Sequence, residues 1–206
     1  MGTLPSLDFY TILVILHLIG MSFGVVGASV SDMLFFKAIK DGVIDKQEFG
    51  IFQFFGRLIW VGLSIAIVSG IGFLIWYIAQ DITVAGSDVE KIENPKIWAK
   101  VTIVAIITLN GLVLHRKILP LLRDSVGKPL VKAGITRHLT LVLTSGAVSI
   151  TSWWSAFIIG AWSGLNFSLS SWAILVLYAV IVCSAIGVAN VIGRRHLLRS
   201  HRNNKT

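Results

Sequence analysis

The chain has little charge and almost no cysteine. Only 14% of its 206 residues are charged, whereas a soluble domain carries roughly 25%. The single cysteine, Cys183, lies inside an apolar block, which excludes an intramolecular disulfide and a cysteine-based metal cluster within one chain. The sequence also lacks a Gly-rich phosphate loop, a catalytic triad and a zinc-spacing motif. The residues by themselves therefore assign no enzyme reaction.

Long apolar runs take the place of these features. Hydrophobic residues make up 55% of the chain, and the mean hydropathy is +0.81. Five segments approach the roughly 20 residues that a membrane-spanning helix needs. The sequence predicts one all-α domain, residues 1–206, a bundle of five transmembrane helices in contact with a lipid bilayer. The predicted helices are 9–36, with a polar interruption at 29–32, then 58–79, 97–114, 139–162 and 172–192.

The distribution of basic residues predicts the orientation of the bundle. Lys and Arg cluster after the first helix, after the third helix and in the C-terminal tail, and none precedes the first helix. By the positive-inside rule, the N-terminus is outside and the C-terminus is cytoplasmic, as in a multi-pass protein of the cell membrane. Aromatic residues favour the outer interface in the same scheme: Tyr10, Trp76, Tyr77, Trp98, Trp162 and Trp172. Because the basic residues never form a stripe with interleaved aromatics, no nucleic-acid partner is expected.

Acidic residues are absent from the deep parts of the five predicted segments. Ion-coupled transporters usually place a carboxylate inside the membrane, so this pattern argues against a transporter. Asp32 and Arg57 both fall near the predicted inner interface. We expect them to form an ion pair that ties the first helix to the second.

His17 is an isolated ionisable residue about eight residues into the first helix, which places it roughly 12 Å below the outer surface of the membrane. Gly20, Gly24, Gly27 and Ser31 follow it at helical spacing and form a smooth groove. The groove is compatible with close approach of another helix. It is equally compatible with a flat macrocycle beneath an axial histidine, in which case His17 would be the metal ligand. The alternative for His17 is a neutral imidazole that donates one hydrogen bond to a neighbouring helix.

Three further residues are candidates for cofactor binding. His115 ends the third predicted helix and His138 opens the fourth on the same side, so the two rings are candidates for a bis-histidine haem site. Their basic neighbours also fit interfacial residues that snorkel. Lys100 lies one turn inside the third helix, where it either snorkels or meets an anionic group such as a porphyrin propionate. On the fourth helix, Ser145, Ser149 and Ser152 form a hydroxyl stripe typical of interhelical contacts.

Two short motifs resemble a group of small helical membrane proteins. Leu16-His17-Leu18-Ile19-Gly20 with downstream glycines, and Trp98-Ala99-Lys100, are similar to the HemJ-type protoporphyrinogen oxidases and the membrane domain of the copper-resistance D proteins. The resemblance implies an association with haem b and a functional pair formed by His17 and Lys100. The fifth helix and the acidic outer loop depart from the pattern.

The leading expectation is a membrane haem b protein for electron transfer or porphyrin oxidation, with His17 as axial ligand and Lys100 as propionate partner. One alternative is a non-enzymatic membrane subunit or scaffold. A second alternative is a small-solute transporter that acts as a dimer. Glycine-rich helix faces favour a homo-oligomer, and an electron-transfer role implies a membrane redox partner.

Overall fold

The structure is a computed structural model that describes residues 8–80, 82, 91–130 and 135–203. These ranges are helical, without a β-strand, and two short 3₁₀ turns cover Lys91–Glu93 and Ser163–Leu165. The main elements are α1 (Phe9–Asp41), α2 (Lys46–Ala79), α3 (Pro95–Val113), a π-helical turn (Leu114–Ile118), α4 (Leu119–Asp124), α5 (Ile135–Ala161) and α6 (Ser171–Asn203). The α3–π–α4 segment is continuous, so five long helices are present in the described ranges, each long and apolar enough to span a membrane.

The first two helices are longer than the sequence predicts, and a tight turn joins them. α1 continues through residues 29–32 without interruption and ends where Gly42 adopts a left-handed conformation (φ 77°). α2 begins at Lys46 rather than residue 58, because Asp45 and Glu48 form a reciprocal capping box at its start. The basic residues placed in the first predicted loop therefore lie mostly within helices.

The third predicted helix also extends beyond its expected end at residue 114. Pro120 has no backbone N–H and its ring conflicts with regular helical bonding to the preceding turn. The chain accommodates it with the π-turn, in which the N–H of Leu119 bonds the carbonyl of Leu114. One extra residue enters the turn at 114–118, and the helix then continues to Asp124.

The helices pack around two apolar clusters. α1 and α2 lie against each other along much of their length, and α5 contacts α1, α3 and α6. One cluster surrounds the fully buried Trp153 of α5, and the other surrounds Ile39, Ile44 and Leu130. α2 and α3, in contrast, meet at few positions.

Polar contacts close both ends of the bundle. At one end, which we call the aromatic end, the Lys91 ammonium lies 5.0 Å from the centre of the Tyr77 ring, and Lys96 donates to the carbonyl of Trp162 (2.8 Å). At the other, the basic end, Lys37 and Glu48 form an ion pair at 2.8 Å. There the backbone N–H of Gly127 also donates to the carbonyl of Ile44 (2.9 Å), which joins the two turns.

Large apolar side chains cover much of the outer surface of the bundle. On α6 they recur at helical spacing and remain exposed: Val176, Leu177, Val180, Ile181 and Val188. An exposed apolar face of this extent is unusual for a monomer in water. It suits a helix whose solvent is lipid.

Candidate functional site

His17 bonds to the neighbouring helix. Its Nδ1 lies 2.9 Å from Oγ of Ser69 on α2, and that hydroxyl donates to the carbonyl of Ile65 at 2.7 Å. Since the serine proton is used in this second bond, the Nδ1–H of His17 is the donor in the first. Phe73 packs edge-on against the imidazole, with ring centres 5.6 Å apart. This is an interhelical hydrogen bond from a neutral imidazole, which was the second of the two alternatives for His17.

The glycine groove below His17 is filled by protein. A methyl group built on Gly20 would lie 2.7 Å from the backbone carbonyl of Gly62. One built on Gly24 would overlap the ring of Trp153, and one built on Gly27 would lie 2.6 Å from Ile59. The glycines therefore serve close helix packing in this structure, and a cofactor-binding role for Gly20 and Gly24 stays a prediction.

Lys100 on α3 is half-buried, and its charge lies within electrostatic range of the His17 imidazole. The two residues of the resemblance thus share one region of the bundle. Cofactor sites typically enclose roughly 300–1,000 Å³, and the close packing at Gly20 and Gly24 leaves no such slot beneath His17. The packing at these two glycines therefore does not fit a haem in the groove beneath His17 within one chain, and haem binding stays a prediction.

His115 and His138 do not converge on one site. His115 lies in the π-turn with its ring edge-on to Trp60, 6.4 Å between centres. His138 is exposed and lines a surface groove with Lys117. Residues two apart on a helix point in nearly opposite directions, so His115 and Lys117 face different sides of the π-turn. The bis-histidine prediction is not supported, and no group of three or more His, Cys, Asp or Glu within the described ranges could hold a metal ion.

A half-open cleft lies between α1, α2, the π-turn and α5, towards the basic end. We call it the Asp32 cleft. Its volume is about 120 Å³. The polar side chains that line it are a carboxylate, an imidazole and two hydroxyls, and aromatic rings form part of its wall. These lining residues include Asp32, Ser31, His115, Ser149, Trp60 and Phe52.

The Asp32 carboxylate enters the cleft against the backbone of α5. A methyl group built on Gly146 would lie 2.8 Å from its Oδ1, so only glycine leaves room for the carboxylate there. Arg57, the expected ion-pair partner, is exposed, and the ion pair found within the described ranges is Lys37 with Glu48. The prediction of an Asp32–Arg57 pair is therefore wrong. None of the described side chains donates a hydrogen bond to Asp32.

The hydroxyls of the cleft differ from others on the same helices. Ser29 donates to the carbonyl of Val25 (2.7 Å), and Ser152 bonds the Tyr178 hydroxyl (2.7 Å). Ser31 and Ser149 have no such bond to any residue that the structure describes. Their donor and acceptor capacity is therefore available to a molecule in the cleft.

The π-turn is what brings His115 to the cleft. π-turns are rare and are found frequently at functional sites, because the extra residue changes the direction in which side chains point. Here the turn lies just before Pro120, and Leu114, His115 and Ile118 all line the cleft. A local backbone irregularity thus meets a carboxylate that has no hydrogen-bond donor among the side chains that the structure describes.

Asp32 is the residue that sequence reasoning placed at the membrane boundary and gave a structural role. The signal was present, since the polar patch at 29–32 interrupts an apolar run. The helix α1 continues through this patch to Asp41, and the Asp32 carboxylate lines the cleft between helices. Ionisable side chains within apolar membrane helices are rare and usually functional, and this applies to Asp32 as it does to His17.

No family model, curated protein or solved structure matches the chain. The resemblance to the HemJ-type proteins stays an expectation that depends on two short motifs.

Proposed function

We propose that the protein is a multi-pass protein of the cell membrane that binds a small polar solute in the Asp32 cleft and belongs to the transporter class. The observation that carries the proposal is the Asp32 carboxylate, which lies in a cleft between helices without a cationic partner among the described residues. Ionisable side chains inside membrane helices are costly and usually mark a substrate or ion pathway. The free hydroxyls of Ser31 and Ser149 add polar contacts of the kind that orient a ligand.

The proposed orientation places the aromatic end outside and the basic end in the cytoplasm. The basic end carries exposed cations from three elements, among them Lys37, Arg116 and Arg123. The aromatic end exposes Trp98 and Trp162. Positive charge favours the cytoplasmic side and tryptophan favours an interface, so both signals support the same arrangement. The Asp32 cleft is then in the cytoplasmic half of the membrane.

The two other interpretations have less support. A haem b protein requires a slot beside His17, and the packing of Gly20 and Gly24 fills that position. A scaffold requires polar residues that only hold helices together, which describes the Ser152–Tyr178 contact. It does not account for Asp32, whose carboxylate holds no helix in place through a hydrogen bond to the described residues.

The chain offers a matched pair of variants to test solute binding. Gly56 lines the cleft, and a methyl group built on it meets nothing within 4 Å; a methyl group on Gly50, on the same helix and outside the cleft, is equally free of contacts. Gly56→Leu should fill the cleft without disturbing α2, and Gly50→Leu should change only the helix surface. Both replacements favour helix formation, so loss of folding is not expected from either.

The measurement is thermal unfolding in mild detergent with a panel of small amines, carboxylic acids, polyols and amino acids. A ligand that binds only the folded state raises its stability in proportion to ln(1 + [L]/Kd). We expect at least one panel member to stabilise the wild type and Gly50→Leu, with the effect abolished in Gly56→Leu. Proteoliposomes that contain the wild type or Gly50→Leu should take up that compound, and those that contain Gly56→Leu should not. A panel without any cleft-dependent stabilisation would favour the scaffold, and a Soret band lost in His17→Ala would favour the haem protein.

A further inference from the structure

We infer that the ligand of the Asp32 cleft is a small organic cation, a protonated or quaternary amine with few carbon atoms. The inference rests on the proposed function and names the substrate class of that site. Its basis is the combination of one carboxylate, aromatic walls and free hydroxyls in a small volume.

The cationic side chains near the cleft do not line it, so the negative charge of Asp32 is left for a ligand to neutralise. The cleft lining contains Asp32 and His115 as its titratable residues and contains neither Lys nor Arg. The neighbouring cations face elsewhere: Lys37 on α1 binds Glu48, and Arg57, Arg116, Lys117 and Arg123 are exposed on α2, the π-turn and α4. A carboxylate in such surroundings is most favourably occupied by a positive charge.

The wall of the cleft favours an organic cation over a metal ion. Phe52, Gly56 and Trp60 are spaced four residues apart, so they share the face of α2 that lines the cleft. A cation within about 6 Å of an aromatic face is stabilised by the ring, most strongly by tryptophan. Ca²⁺ takes six to eight oxygen ligands, typically several from carboxylates and carbonyls, whereas the lining side chains supply one carboxylate and the hydroxyls of Ser31 and Ser149.

The volume limits the size of the cation. A cleft of about 120 Å³ is well below the roughly 300–1,000 Å³ of a drug-sized ligand site. This accommodates an ammonium group with a few methyl or methylene groups. The hydroxyls of Ser31 and Ser149 would accept N–H bonds from a primary amine, while a quaternary amine would depend on Asp32 and the rings.

The experiment compares tert-butylammonium with tert-butanol, which has the same branched carbon skeleton without the charge. Binding is measured by isothermal titration calorimetry on the full chain in detergent, with tetramethylammonium, Na⁺ and K⁺ as further probes. We expect saturable binding of tert-butylammonium that weakens at least about tenfold in Asp32→Asn, because the counter-charge is lost. Trp60→Leu should weaken it about threefold to tenfold. Gly56→Leu should abolish it, and Gly50→Leu should leave it unchanged.

The outcomes separate this inference from the proposed function. Equal affinity for tert-butanol, or unchanged affinity in Asp32→Asn, would overturn the cation assignment while the cleft remained a solute site. Preference for Na⁺ or K⁺ over both amines would overturn it in favour of a metal cation. Absence of binding by every amine, with another panel compound bound in a manner sensitive to Gly56→Leu, would also overturn it. If Asp32→Asn fails to fold, the Gly56→Leu and Gly50→Leu pair and the tert-butanol comparison still decide the question.

Discussion

Asp32 on α1 and Gly146 on α5 are in such close contact that a methyl group built on the glycine would lie 2.8 Å from the carboxylate oxygen Oδ1. The contact places a charged oxygen atom beside the backbone of a neighbouring helix, where a larger residue could not fit. It explains why α5 carries a glycine in the middle of a hydroxyl-rich helix, although glycine weakens helices by about 1 kcal/mol relative to alanine. The glycine makes space for the Asp32 carboxylate.

Replacement of Gly146 by alanine should displace the Asp32 carboxylate. Gly146→Ala is expected to lower the free energy of unfolding by about 1–3 kcal/mol, because the added methyl group overpacks the contact. It should also weaken amine binding, because Asp32 must move. Gly160→Ala is the matched control on the same helix, since a methyl group there meets nothing within 4 Å; it should be neutral or slightly stabilising. Chemical unfolding in detergent measures both, and equal effects of the two variants would contradict the contact.

A second glycine substitution tests how α1 and α2 are held together. Gly20→Ala would bring a methyl group within 2.7 Å of the backbone at Gly62 and Ala66, where no side chain can rotate away. The two helices must therefore separate, and we expect a loss of about 2 kcal/mol or more. Gly187→Ala on α6, where the space is open, should show no loss.

The Gly20→Ala variant also tests the prediction that haem binds in the groove. If a macrocycle rather than α2 occupied the groove, Gly20→Ala would reduce cofactor content and leave unfolding of the protein without cofactor unchanged. The unfolding free energy of preparations with and without a Soret band separates these two cases.

The sequence was sufficient to predict the class of fold, because apolar length alone specifies a spanning helix. All five helices were predicted. The helix ends were less predictable. The capping box of Asp45 and Glu48 lies far before the apolar block that it starts, and Pro120 suggests a helix end rather than a π-turn.

The candidate site was largely beyond the sequence. Asp32, Trp60, His115 and Ser149 come from four separate elements, and only the packing of those elements shows that they line one cleft. The small residues below His17 were found correctly as a groove, but sequence spacing could not decide what fills it. Trp153, which fills it at Gly24, is more than a hundred residues away in the chain.

The hydrogen bond between His17 and Ser69 gives a third prediction. His17→Ala and Ser69→Ala should each destabilise the bundle, and the double variant should lose less than the sum, with a coupling energy of about 0.6 kcal/mol and at most roughly 1.7. The bond joins α1 to α2 at 2.9 Å, so both side chains act through one contact. A double-mutant cycle on unfolding free energies measures it, and strictly additive losses would argue against the bond.

Pro120 provides the fourth prediction, because the π-turn positions His115 and depends on the missing N–H of that proline. In Pro120→Ala, residue 120 can donate to the carbonyl four residues earlier, and the turn should relax to a regular α-helix that is more stable, by up to about 3 kcal/mol. When the π-turn becomes a regular α-helix, the segment before it rotates relative to α4. His115 should therefore leave the cleft. Stability would then rise while amine binding falls.

A cysteine placed at the histidine position reports that rotation. His115→Cys in a Cys183→Ser background should change its rate of reaction with a membrane-impermeant thiol reagent when Pro120→Ala is added. Pro95→Ala is the matched control, because Pro95 occupies the first turn of α3, where an N–H has no helical partner. That variant should alter neither the labelling rate nor amine binding. An unchanged rate in Pro120→Ala would mean that the rest of the bundle, rather than the proline, maintains the π-turn.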